Sequence, residues 1–270
     1  MKRVMWILLN RLFAVSLVKR KQKTKNMNPK LDGSEASMIP LLASSAADLI
    51  DSPNADYFSF EEFSVGRGIA DIYIVSKNSQ TFTKRKRSNI PAITDRLQNE
   101  IVSFLWEHNG TPYHELNSLL QGRKLQNLDF HLQKLIELRA LFIDDEKVFV
   151  QEPANADIID YSVAIEAKVS DWRKGLKQAL RYKNFADRSY LALYENHIKS
   201  ARNNLSVFET LNIGLIGVSD DGINVYFKPT INTKDPVKAR LASERAYSLI
   251  DDTQDGFVAR NNLVTYRSAA

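Results

Sequence analysis

Glu166 and Lys168 stand two positions apart in the run VAIEAKV, residues 163–169. Side chains of a β-strand alternate between faces, so this acid and amine project from one side while Val163, Ile165, Ala167 and Val169 point into a core. Asp71 poses the same problem inside IADIYIV, residues 69–75, where one carboxylate interrupts an apolar strand. Charges on a buried strand are costly unless something pairs with them. An isolated Glu-x-Lys is usually a solvent-facing pair that contributes little, but the apolar flanks and the second carboxylate set this one apart. A metal ion held by Asp71 and Glu166 is the simplest joint solution. The chain has no cysteine and four scattered histidines, so the ligands would be oxygen atoms with at most one histidine, and the ion magnesium, manganese or calcium rather than structural zinc.

The elements that must position these groups can be read from periodicity. Residues 37–51 have apolar side chains at helical spacing, with Pro40 expected in the first turn. Aromatic residues 57–65, a Gly66-Arg67-Gly68 turn and β-branched residues 69–75 predict a β-hairpin. Residues 76–89 are polar, carry Lys84-Arg85-Lys86-Arg87, and read as a connection leaving the sheet. Beyond Asp160 strands are expected at 163–169, 190–194, 213–218 and 223–227, and helices at 172–186, 198–211 and 237–250. This alternation predicts an α/β fold with a mixed sheet flanked by helices.

Gly68-Ile69-Ala70-Asp71-Ile72, then Ile165-Glu166-Ala167-Lys168, then Gln178 and Tyr182 four residues apart on the next helix, resemble the PD-(D/E)XK, or restriction-endonuclease-like, nuclease superfamily. The resemblance covers residues from about 37 to 76 and 156 to 230. It implies Asp71, Glu166, Lys168, Gln178 and Tyr182 as catalytic residues, with Asp71 and Glu166 as ligands of Mg2+ or Mn2+. Lys168 would position the attacking water and stabilise charge on the phosphate. Gln178 and Tyr182 share a helix face and would brace the site. A further acid is sought at Glu61, expected on the Asp71 face, and at Glu35 near the first helix.

The departure from the family pattern is the separation of Asp71 from Glu166, 95 positions from 71 to 166. An insertion accounts for it. Helices are expected at 94–108, at 111–120 with Thr111 as cap and Pro112 in the first turn, and at 125–141, with Leu128, Leu132, Leu135, Ile136 and Leu138 inward. Two short strands follow at 142–151, and the order resembles a winged helix-turn-helix. The third helix and its approach offer Gln121, Arg123, Lys124, Gln126, Asn127, His131 and Lys134 to phosphates and base edges. Arg67 at the hairpin turn joins them as a nucleic-acid contact, and Lys84 to Arg87 would add phosphate contacts unless simply solvated.

The domain reading is therefore a basic extension 1–26, a nuclease-like domain in two parts (27–89 and 153–250), an inserted winged-helix domain 90–152, and a loose tail 251–270. Residues 1–26 hold eight of the 37 Lys/Arg and no acid, leaving 29 basic against 32 acidic side chains, so the pI near 9.2 says little about the remainder. That extension reads as a basic amphipathic helix, a disordered tail, or an upstream segment preceding a start at Met27, the last two preferred. It is a poor membrane segment. No phosphate-cradling glycine loop or Gly-x-Ser-x-Gly elbow occurs, so an NTPase, a dinucleotide oxidoreductase or a serine hydrolase has no support. The sequence is expected to encode a cytoplasmic Mg2+-dependent nuclease acting on DNA, with RNA and a homodimer left open and no membrane partner. The alternative is a non-catalytic DNA-binding or regulatory protein on the same scaffold.

Overall fold

The computed structural model describes residues 31–50, 57–66, 68–120, 127–254 and 263–266. The basic extension 1–26 and most of the tail 251–270 lie outside the described residues. In chain order the principal elements are helix α1 (Glu35–Ser44), strands β1 (Tyr57–Val65) and β2 (Gly68–Lys77), and helices α2 (Ser79–Arg87) and α3 (Arg96–Glu107). Strand β3 (Thr111–Pro112), helices α4 (Tyr113–Leu120) and α5 (Leu128–Glu137) and strands β4 (Leu141–Asp144) and β5 (Lys147–Val150) follow. Then come β6 (Ile159–Lys168), α6 (Trp172–Tyr182), β7 (Arg188–Tyr194), α7 (Leu205–Leu211), β8 (Gly214–Ser219), β9 (Gly222–Phe227), α8 (Pro236–Gln254) and β10 (Leu263–Tyr266).

The protein is an α/β fold built on a mixed sheet in the order β10-β1-β2-β6-β7-β8-β9. The pairs β1–β2 and β2–β6 are antiparallel, whereas β6, β7 and β8 are mutually parallel. Parallel neighbours need a crossover, which α6 supplies between β6 and β7 and α7 between β7 and β8. β7 is buried on both faces, which is why its sequence, Ser-Tyr-Leu-Ala-Leu-Tyr after Arg188, does not alternate. On one face α1 packs Met38, Leu41 and Leu42 against Ile72, Ile74, Val163, Ile165 and Ile216. On the other, Trp172, Leu176 and Ala179 of α6 meet Leu191, Leu193 and Leu215, while Tyr182 and α8 cover Phe60, Tyr73 and Ala164. Each fully buried Leu, Ile or Phe contributes about 1.5–3 kcal/mol relative to exposure.

Residues between β2 and β6 leave the sheet, yet the two strands are paired neighbours. Those residues form α2 to α5 and a separate sheet in the order β3-β5-β4, around a core that includes Ile101, Leu105, Leu116, Leu132, Leu135 and Val148. Several sequence expectations change here. Thr111 and Pro112 pair with Val148 and Lys147 as a short strand, so the next helix starts at Tyr113. Leu128, Leu132 and Leu135 are buried as expected, but Ile136 is exposed, because α5 ends at Glu137 and presents only one stripe to the core. Pro40 sits inside α1, which starts at Glu35, rather than in its first turn. The helix expected over 198–211 is broken into Lys199–Arg202 and Leu205–Leu211.

The largest difference is α2, a helix where a polar connection is expected from the sequence. Lys84 and Arg87 are exposed, but Arg85 is completely buried. Its guanidinium forms a two-pronged pair with Glu244 of α8 at 2.9 and 3.0 Å and donates to the carbonyls of Ile90, Pro91, Pro153 and Ala154. Glu244 also accepts from the Ile93 amide at 2.7 Å. Arg240, one turn before Glu244, reaches Asn99 of α3 and the Asn155 side chain. The two linkers of the inserted segment are thus fastened to α2 and α8 by a buried, fully hydrogen-bonded charge cluster. Among the described residues no helix is long and apolar enough to cross a membrane.

Candidate functional site

The site forms where β2 and β6 meet the helices beyond the end of β6. The antiparallel register pairs Ile72 with Ile165, so the next step brings Asp71 opposite Glu166. There the Asp71 side chain takes over from the ladder, and its Oδ2 accepts a hydrogen bond from the Ala167 amide at 2.7 Å. Strand alternation puts Glu166 and Lys168 on the face covered by α6, while Ile165 and Ala167 enter the α1 core.

Lys168 is nine-tenths buried, with its stem under α6. Gly175 makes the passage: a Cβ there would lie 2.9 Å from Lys168 Cγ and 2.4 Å from Leu191 Cδ1. The ammonium ends in a ring of oxygens. Glu166 Oε1 lies 2.7 Å away, Glu35 Oε2 3.1 Å and Asp71 Oδ2 3.9 Å, and Nζ donates to the Ala167 carbonyl at 2.8 Å. The Glu166 contact is an ion pair made off the hydrogen-bond direction. Glu166 is the most enclosed of the acids, with 1% of its side chain exposed against 31% for Asp71 and 45% for Glu35.

Tyr182, buried at the end of α6, joins from the other side. Its hydroxyl contacts both the Ile69 carbonyl and Glu166 Oε2. The one phenolic proton is shared between these two acceptors. Burial raises the Glu166 carboxyl above its ordinary range, against the opposing effects of Lys168 and Tyr182. Burial raises Asp71 as well, opposed by the Ala167 amide and the Lys168 charge. For Lys168, burial acts to lower the pKa, but the close contact and charge of Glu166, with Glu35 and Asp71, outweigh it and raise the amine. A cluster of acids therefore competes for protons around a firmly charged lysine.

The other expected residues are less uniform. Gln178 is on α6 with its Oε1 buried and unpartnered among the described residues. Glu61 is opposite Ile72, hence on the other face from Asp71. Glu62 occupies the position across from Asp71, with a left-handed backbone at φ 48°. Glu35, at the first residue of α1, reaches Lys168. Of the nucleic-acid candidates, Arg67, Gln121, Arg123, Lys124 and Gln126 lie outside the described residues. Asn127 precedes α5 in a left-handed conformation, His131 packs edge-on to Phe130, and Lys134 pairs with Glu137 at 2.6 Å.

The donors around the lysine are of the type a hard divalent cation takes. Asp71, Glu166, Glu35 and the Ala167 carbonyl supply only oxygens and already surround a positive charge, and such ions are commonly held by one or two carboxylates completed by water. Among the described residues no group of three or more His, Asp or Glu side chains is arranged to hold a metal ion by itself. Comparison with family models, with curated proteins and with solved structures gives no match to this chain.

Proposed function

We propose that this chain is a metal-dependent nuclease of the PD-(D/E)XK type, hydrolysing phosphodiester bonds of DNA. The observation that carries the reading is the meeting of Asp71, Glu166 and Lys168, drawn from strands 95 positions apart, at one end of one sheet face. Asp71 and Glu166 would hold Mg2+ or Mn2+, which when bound polarises the scissile phosphate and acidifies a water. Asp71 is pre-oriented by the Ala167 amide, and Tyr182 fixes the Glu166 carboxyl from the side away from Lys168. Lys168 would direct its N–H bonds to the attacking water or to phosphate oxygen. Gln178, with a free buried oxygen on the same helix as Tyr182, positions that network.

The inserted segment is read as a winged helix that aids substrate binding. The order α3, β3, α4, α5, β4, β5 and the small sheet β3-β5-β4 support this. Polar Asn127 precedes the helix that would face the groove and His131 and Lys134 lie along it, although Lys134 is already paired with Glu137.

The test uses the full chain with supercoiled and linear DNA, and with RNA, in Mg2+ and in Mn2+. Cleavage by the wild type that falls by at least about a hundred-fold in Asp71→Ala and Lys168→Ala supports the reading. No cleavage in either metal, with wild type and variants binding DNA equally, replaces it with a non-catalytic nucleic-acid-binding scaffold.

A further inference from the structure

α6 carries Arg173, Lys174, Lys177 and Arg181 and no acid between Trp172 and Tyr182. All four are exposed, and among the described residues none forms an ion pair. Arg173, Lys177 and Arg181 follow an i, i+4, i+8 spacing, so they form one line, with successive members about 6 Å apart along the axis.

The fold gains from single members, Arg173 through the Trp172 ring and Arg181 through its place in the last turn, but not from their alignment. Like charges four apart on a helix repel by about 0.2–0.5 kcal/mol per pair. Arg173 and Lys174 occupy the first turn, where the helix dipole favours anions. An exposed line of three cations with no acid on the same helix suits an external polyanion.

Its position identifies which. The same helix sends Tyr182 to Glu166 and passes Gly175 over the Lys168 stem. Arg181 Cβ approaches the Gly68 position, where the Asp71 strand begins, to 3.8 Å from a Cβ built there. At the other end Arg173 stacks 4.5 Å from the Trp172 ring, whose indole donates to Ser200, between Lys199 and Arg202. The line therefore runs from the hairpin beside the site to the turn after β7. A membrane surface is a poor occupant, because an interfacial helix needs its apolar face free, and Trp172, Leu176 and Ala179 are buried against the sheet.

We infer that Arg173, Lys177 and Arg181 form a phosphate track that holds the backbone of the nucleic-acid strand entering the site. This rests on the nuclease reading for its substrate, but binding without metal tests it separately. The triple variant Arg173→Gln/Lys177→Gln/Arg181→Gln keeps helix propensity and should unfold no earlier than wild type. Binding of a short DNA duplex is measured in EDTA over a range of salt concentrations. The slope of log affinity against log salt should fall in magnitude by about 2–3, near 0.9 for each phosphate no longer neutralised, with at least about ten-fold weaker binding at low salt. The charge-keeping triple Arg173→Lys/Lys177→Arg/Arg181→Lys should retain the wild-type slope. An unchanged slope in the glutamine variant overturns the track even if the wild type cleaves. So does stronger capture by anionic vesicles than by DNA. Wild type that binds with this slope but cleaves nothing in Mg2+ or Mn2+ removes the nuclease reading and leaves the track supported.

Discussion

Replacing Lys168 by Met keeps the buried stem and removes only the charge. Glu166 then loses a cation 2.7 Å away while remaining almost wholly enclosed, and Asp71 and Glu35 lose a shared neighbour. Breaking a buried ion pair by deleting one partner destabilises by about 3–5 kcal/mol. Glu35 is half exposed and adds little to that figure. Glu166 can escape by taking up a proton, which its environment already favours. A carboxyl raised above its unfolded value is neutral in the fold at low pH, and its contribution to stability is lost as pH rises through the folded value, at about 1.4 kcal/mol per pH unit. Without the ammonium that window widens toward neutrality. Urea unfolding should therefore show Lys168→Met losing at least about 1 kcal/mol more at pH 8 than at pH 5. Mg2+ should return more stability to the variant than to the wild type, since a bound ion replaces the missing charge. Equal losses at both pH values, or a loss below about 1 kcal/mol at pH 8, would show that Lys168 does not hold these acids together.

Tyr182→Phe removes the hydroxyl between Ile69 and Glu166 and should lower stability by about 1–3 kcal/mol in urea titration, an unmeasurable change meaning that the contact is incidental. Arg85→Met strips five carbonyl or carboxylate partners of their donor and should reduce stability by about 3–5 kcal/mol while exposing residues 88–95 to proteolysis; wild-type protection would refute the clamp. Gly175→Ala should cost about 1–3 kcal/mol through overpacking on Leu191 and Lys168, whereas Gly68→Ala, whose new carbon would sit 3.4 Å from the Tyr182 ring, should be far milder. If thermal unfolding ranks these two the other way, the packing over Lys168 is misdescribed.

What can be read from the chain follows the reach of its patterns. Glu166, Lys168 and Asp71 are legible because strand alternation is local: six or seven residues suffice to show a charge on an apolar strand. The strands flanking the insertion are legible for the same reason, with boundaries shifted by a few residues. Glu35 is only a weak candidate from sequence, since its approach depends on where α1 starts relative to a strand 133 positions later. Arg85 reads with its exposed neighbours as part of a basic run, because its partner Glu244 is 159 positions distant and only the fold unites them. The expectation that Glu61 lies beside Asp71 fails, for hairpin register is set by the turn, which puts Glu62 there instead. The α6 stripe needs no coordinates to see, but its meaning requires knowing which side of that helix is buried.

The Arg85–Glu244 clamp also bears on how this protein could be taken apart. Segments grafted between two strands are commonly swapped or excised at their junctions, but here both junctions supply acceptors to a single guanidinium. Cutting out residues 90–154 would take away the carbonyl acceptors at Ile90, Pro91, Pro153 and Ala154 and leave that cation with Glu244. Graft and host are consequently joined through one shared buried ion pair as well as through the two chain crossings.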